Sequence, residues 1–345
     1  MTISGLQLSL VALAAAAVLS AAMIWAILPW LLRHALAKPN ARSSHRIPTP
    51  QGGGIAVIGA TLLVAGAIAA CAPTLHIPVV IYGATLFIAI VGFADDVRSI
   101  PILPRLMLQA LAVGAVLFTA SSDLRIAASC PLWIERGLLL LAGLWLVNLV
   151  NFMDGLDWMT VAEVVPITGA LVVLGTLDEF PASAVIIAAA LCGAIVGFAP
   201  FNRPVAKVFL GDVGSLPIGL LLGWCLLQLA FHQQLAAALL LPLYYLLDTT
   251  VTLLRRLARR EPFWAAHRTH FYQRATDNGF TVLRVVTEVF LLNLVLAALA
   301  IGSIMTRSAM LEALLLIAGG IATGLVMYRF SRPLRQQDRS AIGRS

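Results

Sequence analysis

Asn148-Leu149-Val150-Asn151-Phe152-Met153-Asp154-Gly155-Leu156-Asp157 closes an apolar run that begins near Trp133. Its polar side chains, Asn148, Asn151, Asp154 and Asp157, recur every third residue, and residues three apart are neighbours on a helix surface. An Asp at the bilayer centre costs roughly 2.5–3.5 kcal/mol on insertion scales, so two acids here need a reason. A spacing of three drifts around an α-helix, and Gly155 is where the helix is expected to relax and let the four side chains converge at a membrane surface. Paired carboxylates with amides suit Mg²⁺ and phosphate. A capped helix end with surface acids is the plainer alternative.

The surrounding chain explains why a membrane is invoked. Of 345 residues, 60% are hydrophobic and only 11% charged, with a mean hydropathy of +0.94. A soluble domain carries roughly 25% charged residues. The composition predicts an all-α, polytopic integral membrane protein forming a single membrane domain over 1–345. Spans of about 20 residues give about eleven, near 6–31, 53–71, 78–94, 104–120, 133–151, 158–176, 182–200, 214–231, 235–254, 282–303 and 309–328. The first is not expected to be a cleaved signal peptide, because no Lys or Arg precedes it.

Basic residues fix the expected orientation. With the N-terminus outside, 20 of the 23 Lys and Arg fall on one side and only Arg125, Arg136 and Arg307 on the other. The positive-inside rule makes the larger set cytoplasmic, so the C-terminus is cytoplasmic and 330–345 forms a basic tail. The net charge of +7 then faces anionic lipid or an anionic substrate, and no aromatic-rich basic groove supports a nucleic-acid partner. Cys192 and Cys225 fall in spans as packing residues. Cys71 and Cys130 fall on outer segments, where a disulfide is permitted but no spacing argues for one.

Nearly all unusual residues lie in the inner connections, near 32–53, 95–104, 151–158, 200–213 and 255–282. The first ends in His45-Arg46-Ile47-Pro48-Thr49-Pro50-Gln51 and then Gly52-Gly53-Gly54, where glycine N–H groups could approach a phosphate or simply allow close helix packing. His45 and Arg46 are cationic candidates beside it. The second holds Asp95-Asp96, then Arg105, which could also anchor at lipid headgroups. Adjacent acids point about 100° apart on a helix, so both serve one ion only where the helix ends.

The fourth connection runs from Asn202 through Lys207 to Phe209-Leu210-Gly211-Asp212-Val213-Gly214-Ser215. Asp212 near a helix start is favoured by the macrodipole alone, but that does not explain Asn202 and Lys207. The fifth holds Asp248, which could pair with Arg255 or Arg256, and His267-Arg268-Thr269-His270. Two histidines without cysteines make a weak zinc site, and the His–Arg cluster fits a diphosphate better. Six acids, Asp95, Asp96, Asp154, Asp157, Asp212 and Asp248, thus gather at the cytoplasmic ends of spans. Mg²⁺ takes one or two carboxylates plus phosphate oxygens, so the pattern points to phosphate chemistry between a soluble donor and a lipid acceptor.

At these residues the chain resembles the polyprenyl-phosphate N-acetylhexosamine-1-phosphate transferase family, glycosyltransferase family 4. The resemblance rests on Pro48-Thr49-Pro50 with Gly52 to Gly54, Asp95-Asp96, Asn151-x-x-Asp154-Gly155-x-Asp157, Asn202 through Ser215 and the histidine loop, in family order over about 40–285. It implies transfer of a sugar 1-phosphate from a UDP-N-acetylhexosamine to undecaprenyl phosphate, with release of UMP, by a multi-pass enzyme of the bacterial inner membrane whose active site faces the cytoplasm. It implies Mg²⁺, with Mn²⁺ as a substitute, held by Asp212 with Asp154. It makes Asp95 and Asp96 the base or nucleophile pair, with Asp154, Asp157 and His270 as further catalytic residues. Asn151, Asn202, His45, Arg46, Arg105, Lys207, His267 and Arg268 become substrate contacts. A homodimer is compatible with the family.

Departures narrow the branch. Many members carry His-x-His-His where this chain has His270-Phe271-Tyr272-Gln273, Trp158 replaces a common Gly after Asp157, and Arg105 stands where the lipid I synthase branch has Lys. His267-Arg268-Thr269-His270 followed by Tyr272-Gln273-Arg274 looks like the branch that begins O-antigen and other surface-polysaccharide units, within lipopolysaccharide and cell-wall biogenesis. Peptidoglycan lipid I synthesis from a UDP-muramoyl-pentapeptide is the alternative. An intramembrane prenyltransferase would lack the Gly211–Ser215 segment and the His–Arg loop, and a cation-coupled transporter would keep its acids near the midplane. Arg125→Ala, on the outer side, is expected to be nearly silent.

Overall fold

The computed structural model describes residues 3–37, 48–72, 74–177, 179–262, 267–306 and 308–334. His45, Arg46 and most of the basic tail lie outside the described residues. Within them the chain is almost entirely helical: α1 Ile3–His34, α2 Gly53–Cys71, α3 Val79–Val97, α4 Ile102–Phe118, α5 Leu132–Met153, α6 Met159–Thr176 and α7 Ala182–Phe198. There follow α8 Asp212–Phe231, α9 Leu235–Leu240, α10 Leu243–Ala258, α11 Phe271–Asp277, α12 Val282–Thr306 and α13 Ala309–Phe330. The only sheet among the described residues is a two-residue antiparallel pair, β1 Leu36–Ala37 with β2 Thr49–Pro50.

Proline punctuates the bundle. Pro78, Pro101, Pro131, Pro181 and Pro242 immediately precede α3, α4, α5, α7 and α10, where a missing N–H removes no helical hydrogen bond. Among the described residues, eight helices are long and apolar enough to cross a membrane: α1, α2, α3, α5, α6, α8, α12 and α13. This is a multi-pass membrane architecture. Helices α4 and α7, each of 17 residues, are apolar but shorter. The span expected at 235–254 is not one helix, because Pro242 cannot donate to the turn behind it and the segment divides into α9 and α10. Of the eleven segments expected, eight are long helices, two are short ones and one is broken, among the described residues.

Helix α8 is the hub. Of its apolar window 83% is buried in the protein, against 17% for α13 and 22% for α1, which face outward. Around it pack α2, α3, α5, α7 and α9. At its start the approach is backbone to backbone. A Cβ at Gly92 of α3 would overlap the Asp212 carbonyl, and one at Gly54 of α2 would overlap Gly214. The glycine run at the start of α2 is thus a packing device. The N–H groups of Gly52 and Gly53 donate to the Phe209 carbonyl and that of Gly54 to Leu210, so they are spent on protein and not offered to a phosphate.

Candidate active site

Three helix ends meet where α3 finishes, α5 finishes and α8 begins, and each delivers an acid or amide. Asn151, in the last turn of α5, donates through Nδ2 to Asp212 Oδ1 (2.7 Å) and to Ser215 Oγ (2.9 Å). Arg105, in the first turn of α4, lies with NH1 at 2.8 Å from Asp95 Oδ2 and 3.9 Å from Asp212 Oδ2. One guanidinium therefore bridges two carboxylates from separate helices, and Asn151 steadies the second. Arg105 is directed into the acid cluster.

The adjacent acids have different jobs. Asp95 Oδ1 accepts the Ile100 N–H at 2.5 Å while Oδ2 takes Arg105. Asp96 turns the other way. Its carboxylate accepts the N–H groups of Asp212 (2.9 Å) and Val213 (3.0 Å), the unpaired donors at the start of α8, plus Gln51 Nε2 at 2.5 Å. A carboxylate here satisfies orphan donors and meets the positive end of the helix dipole. Asp95 and Asp96 therefore do not converge on one point. Asp95 faces Arg105 and Asp212, and Asp96 anchors α8 to α3.

The four polar residues of the 148–157 stretch likewise fan out. Asn148, one turn deeper, donates to Gln109 Oε1 at 2.7 Å. Helix α5 ends at Met153, so Asp154 and Asp157 leave the helical register. Asp154 Oδ1 accepts from Thr160 Oγ1 at 2.5 Å. Desolvation raises its carboxyl to about 7, with the charges of Asp96 and Asp157 adding to the effect and the Thr160 bond opposing it. Asp157 Oδ2 accepts the Ala206 N–H at 3.0 Å. Gly155 is required for a different reason from the expected relaxation: a Cβ there would overlap the Tyr272 hydroxyl, which donates to the Phe152 carbonyl at 3.0 Å.

Asn202 is buried and its amide is engaged on both sides, Oδ1 with Trp158 N–H (2.8 Å) and Nδ2 with the Val208 carbonyl (3.0 Å). It braces a loop in this structure instead of facing a cleft. Lys207 is exposed on the same segment.

The histidine loop is organised by Asp248, which is fully buried on α10. Its carboxylate accepts from Tyr244 hydroxyl, Thr252 Oγ1, His270 Nδ1 and the N–H groups of Phe271 and Tyr272. The pairing with Arg255 or Arg256 is replaced: Arg256 joins Glu261 at 2.8 Å, and Arg255 lies over the Phe271 ring at 4.6 Å. His267 stacks on His270 with ring centroids 4.9 Å apart. Burial, then the neighbouring His270 and Arg256, pulls the His267 imidazole down to about 4, so it is neutral at pH 7 and unsuited to neutralising a diphosphate. Arg268 turns back onto α11, to Thr276 (3.1 Å) and Asp277 (3.4 Å).

For a divalent cation the relevant donors are Asp95, Asp212 and the Asn151 amide. No group of three or more His, Cys, Asp or Glu that could hold a metal occurs among the described residues. Two carboxylates nonetheless match Mg²⁺, which completes its shell with water and substrate phosphate oxygens. Asp154 is bound to Thr160 and does not join the pair through any described contact. All four cysteines are free.

Sequence reading passed over Gln51, Thr160 and Tyr272 as partners of the acids, Ser215 as a partner of Asn151, and also Glu163. Glu163 is buried in α6 against Asn293 of α12, whose Nδ2 lies 2.6 Å from Oε2. An acid inside the 158–176 span was a visible signal for it.

The sequence profile described as Glycosyl transferase family 4 matches residues 78–230. Over 290 residues the chain is 27% identical to a probable undecaprenyl-phosphate N-acetylglucosaminyl 1-phosphate transferase of Bacillus subtilis, covering 77% of this chain and 76% of that protein. It is 28% identical over 329 residues to a decaprenyl-phosphate N-acetylglucosaminephosphotransferase of Mycolicibacterium smegmatis, covering 83% and 79%. It is 30% identical over 223 residues to a phospho-N-acetylmuramoyl-pentapeptide-transferase of Streptococcus gordonii, covering 60% and 67%.

Proposed function

Because the chain belongs to glycosyl transferase family 4, we propose that it transfers N-acetylhexosamine 1-phosphate from a UDP-sugar to undecaprenyl phosphate. A phosphate oxygen of the lipid forms a bond to the sugar-bearing phosphorus, the bridge to the other phosphorus breaks, and UMP leaves with that bridging oxygen. The observation carrying this reading is Arg105 between Asp95 and Asp212 at the ends of three apolar helices. A Mg²⁺ bound by Asp95 and Asp212 would neutralise the diphosphate and polarise its phosphorus. Asn151 holds Asp212 in place, Arg105 keeps the two carboxylates together in the free enzyme, and Asp95 would accept the proton of the attacking phosphate.

A lipid acceptor also needs an apolar berth. A cavity of about 200 Å³ lies among α4, α5, α8, α9 and α10, lined by apolar side chains such as Val116, Leu146, Trp224 and Leu246. Helices α4, α5 and α8 each carry a site residue toward one end, Arg105, Asn151 and Asp212, and the cavity lies further along the same three helices. Orientation follows the basic residues, with the site on the cytoplasmic face of a bacterial inner membrane and the N-terminus outside.

The favoured role is initiation of an O-antigen or other surface polysaccharide. The buried Tyr272 and Gln273 stand where many members have further histidines, which argues against the pentapeptide transferase. The identity shared with the S. gordonii protein keeps that second reading in play. Purified protein with undecaprenyl phosphate, Mg²⁺ and a panel of UDP-N-acetylhexosamines, plus UDP-N-acetylmuramoyl-pentapeptide, decides between them. EDTA-sensitive release of UMP with a lipid-linked sugar diphosphate supports the transfer and identifies the donor. Release of UDP in place of UMP overturns it.

A further inference from the structure

Trp158 is the residue between the second acid of the 154–157 turn and the first residue of α6, and it stands in the left-handed region with φ 65°. That region is rare for bulky side chains and natural for glycine. A tryptophan held there has to be stabilised by its surroundings, and the contacts are explicit. Its backbone N–H donates to Asn202 Oδ1 at 2.8 Å and its indole Nε1–H to the Ala199 carbonyl at 2.7 Å, while its half-buried ring packs on the apolar core.

Both acceptors lie on the segment that leaves α7 and leads to Asp212. The same segment returns a third bond, from Ala206 N–H to Asp157 Oδ2 at 3.0 Å. The turn carrying Asp154 and Asp157 is thus tied to the segment leading to Asp212 at three points, two of them through one residue. Only the indole bond depends on this residue being Trp, because any residue but Pro at 158 supplies the backbone N–H.

We propose that Trp158 is a positioning residue for donor binding: its indole locks the 154–158 turn to the 199–206 segment and so fixes the wall against which the UDP-sugar diphosphate is held. The proposal rests on the phosphotransfer reading above. It separates the substrates, since the lipid berth is built from α4, α5, α8, α9 and α10 and does not include this brace.

The test compares wild type with Trp158→Phe and Trp158→Gly, each purified full length, varying UDP-sugar and undecaprenyl phosphate separately. Trp158→Phe removes the indole donor and keeps an aromatic ring. Trp158→Gly also removes the donor, but relieves the left-handed backbone and keeps a foldable variant available. Loss of one such bond is expected to raise KM for the UDP-sugar about tenfold in both variants, with KM for the lipid unchanged. Hydrogen exchange of the Ala206 amide should rise in both. Unchanged donor KM, or equal increases for the two substrates, overturns the proposal. If wild type releases no UMP with any donor, the phosphotransfer reading fails, and unchanged Ala206 exchange in the variants would separately sink the brace.

Discussion

Asp248 Oδ1 and His270 Nδ1 lie 3.1 Å apart, with the carboxylate fully buried and the imidazole nearly so. The pair joins α10 to the start of α11 across a loop, and the same carboxylate takes the next two backbone N–H groups. Facing a carboxylate, Nδ1 carries a proton, which turns Nε2 away as the atom available for other work. Asp248→Asn replaces one acceptor oxygen by an N–H₂ among donors. The expected result is a loss of about 2–3 kcal/mol of stability together with transfer activity, read by thermal unfolding in detergent and by UMP release. A variant with wild-type unfolding would show that the five contacts are dispensable.

Arg105 holds together two carboxylates that repel each other. Arg105→Ala should cut UMP release by about a hundredfold or more, whereas Arg105→Lys keeps the charge, loses the fork geometry and should fall by only about tenfold. Asp95→Asn and Asp212→Asn should each abolish transfer with the protein still inserted and folded, as judged by gel filtration. Full activity in both would remove the site assignment.

Gly155 and Tyr272 form a steric pair whose prediction is a rescue. Gly155→Ala forces the Tyr272 ring off the Phe152 carbonyl and should destabilise by about 1–3 kcal/mol. Adding Tyr272→Phe removes the clashing oxygen, so the double variant should recover part of that loss. A double-mutant cycle with no coupling between the two positions would contradict the contact.

His267 gives a pH dependence of stability. Its folded value, about 4, lies below the ordinary 6.5, so the unfolded chain binds more protons between these values. Its contribution is complete above pH 6.5 and is lost as pH falls toward 4. Unfolding temperatures between pH 7 and 5 should therefore drop less in His267→Gln than in wild type. A parallel drop in both would show that the imidazole is not held neutral.

Arg125 should matter to stability and not to transfer. Its Nε lies 2.6 Å from Glu135 Oε2, and the Glu135 side chain is only 5% exposed. Its NH2 also reaches the Cys130 carbonyl. Arg125→Ala leaves Glu135 only the Ile126 N–H among its close partners and should cost about 1–3 kcal/mol of stability, measurable by thermal unfolding, while the intact fraction keeps its donor KM. The expected silence holds only for catalysis.

The parts that were legible in the sequence are those written in local pattern. Long apolar runs gave the helices, and the Asp95-Asp96 and Asn151–Asp157 clusters marked helix ends. What local pattern could not carry was the direction of each side chain after its helix ends. Asp96 reads like Asp95 until α8, more than a hundred residues later, presents its N–H groups to it. Asp154 and Asp157 have the spacing of ligands, yet their partners are Thr160 and Ala206, fixed by a turn whose geometry only tertiary packing reveals. The break at Pro242 was visible in the sequence, and the length of the apolar run outweighed it.

The contact between Gly92 and the Asp212 carbonyl, with no side chain between the two helices, bears on how the enzyme tolerates different bilayers. Peripheral helices such as α1 and α13 adapt to hydrocarbon thickness by tilting. Helices α3 and α8 touch through main chain at Asp212 and one turn before Asp95, so the spacing of the two backbones that carry those carboxylates is set by a main-chain contact. A thicker or thinner membrane would tilt the rim of the bundle and leave the distance between α3 and α8 at this contact unchanged.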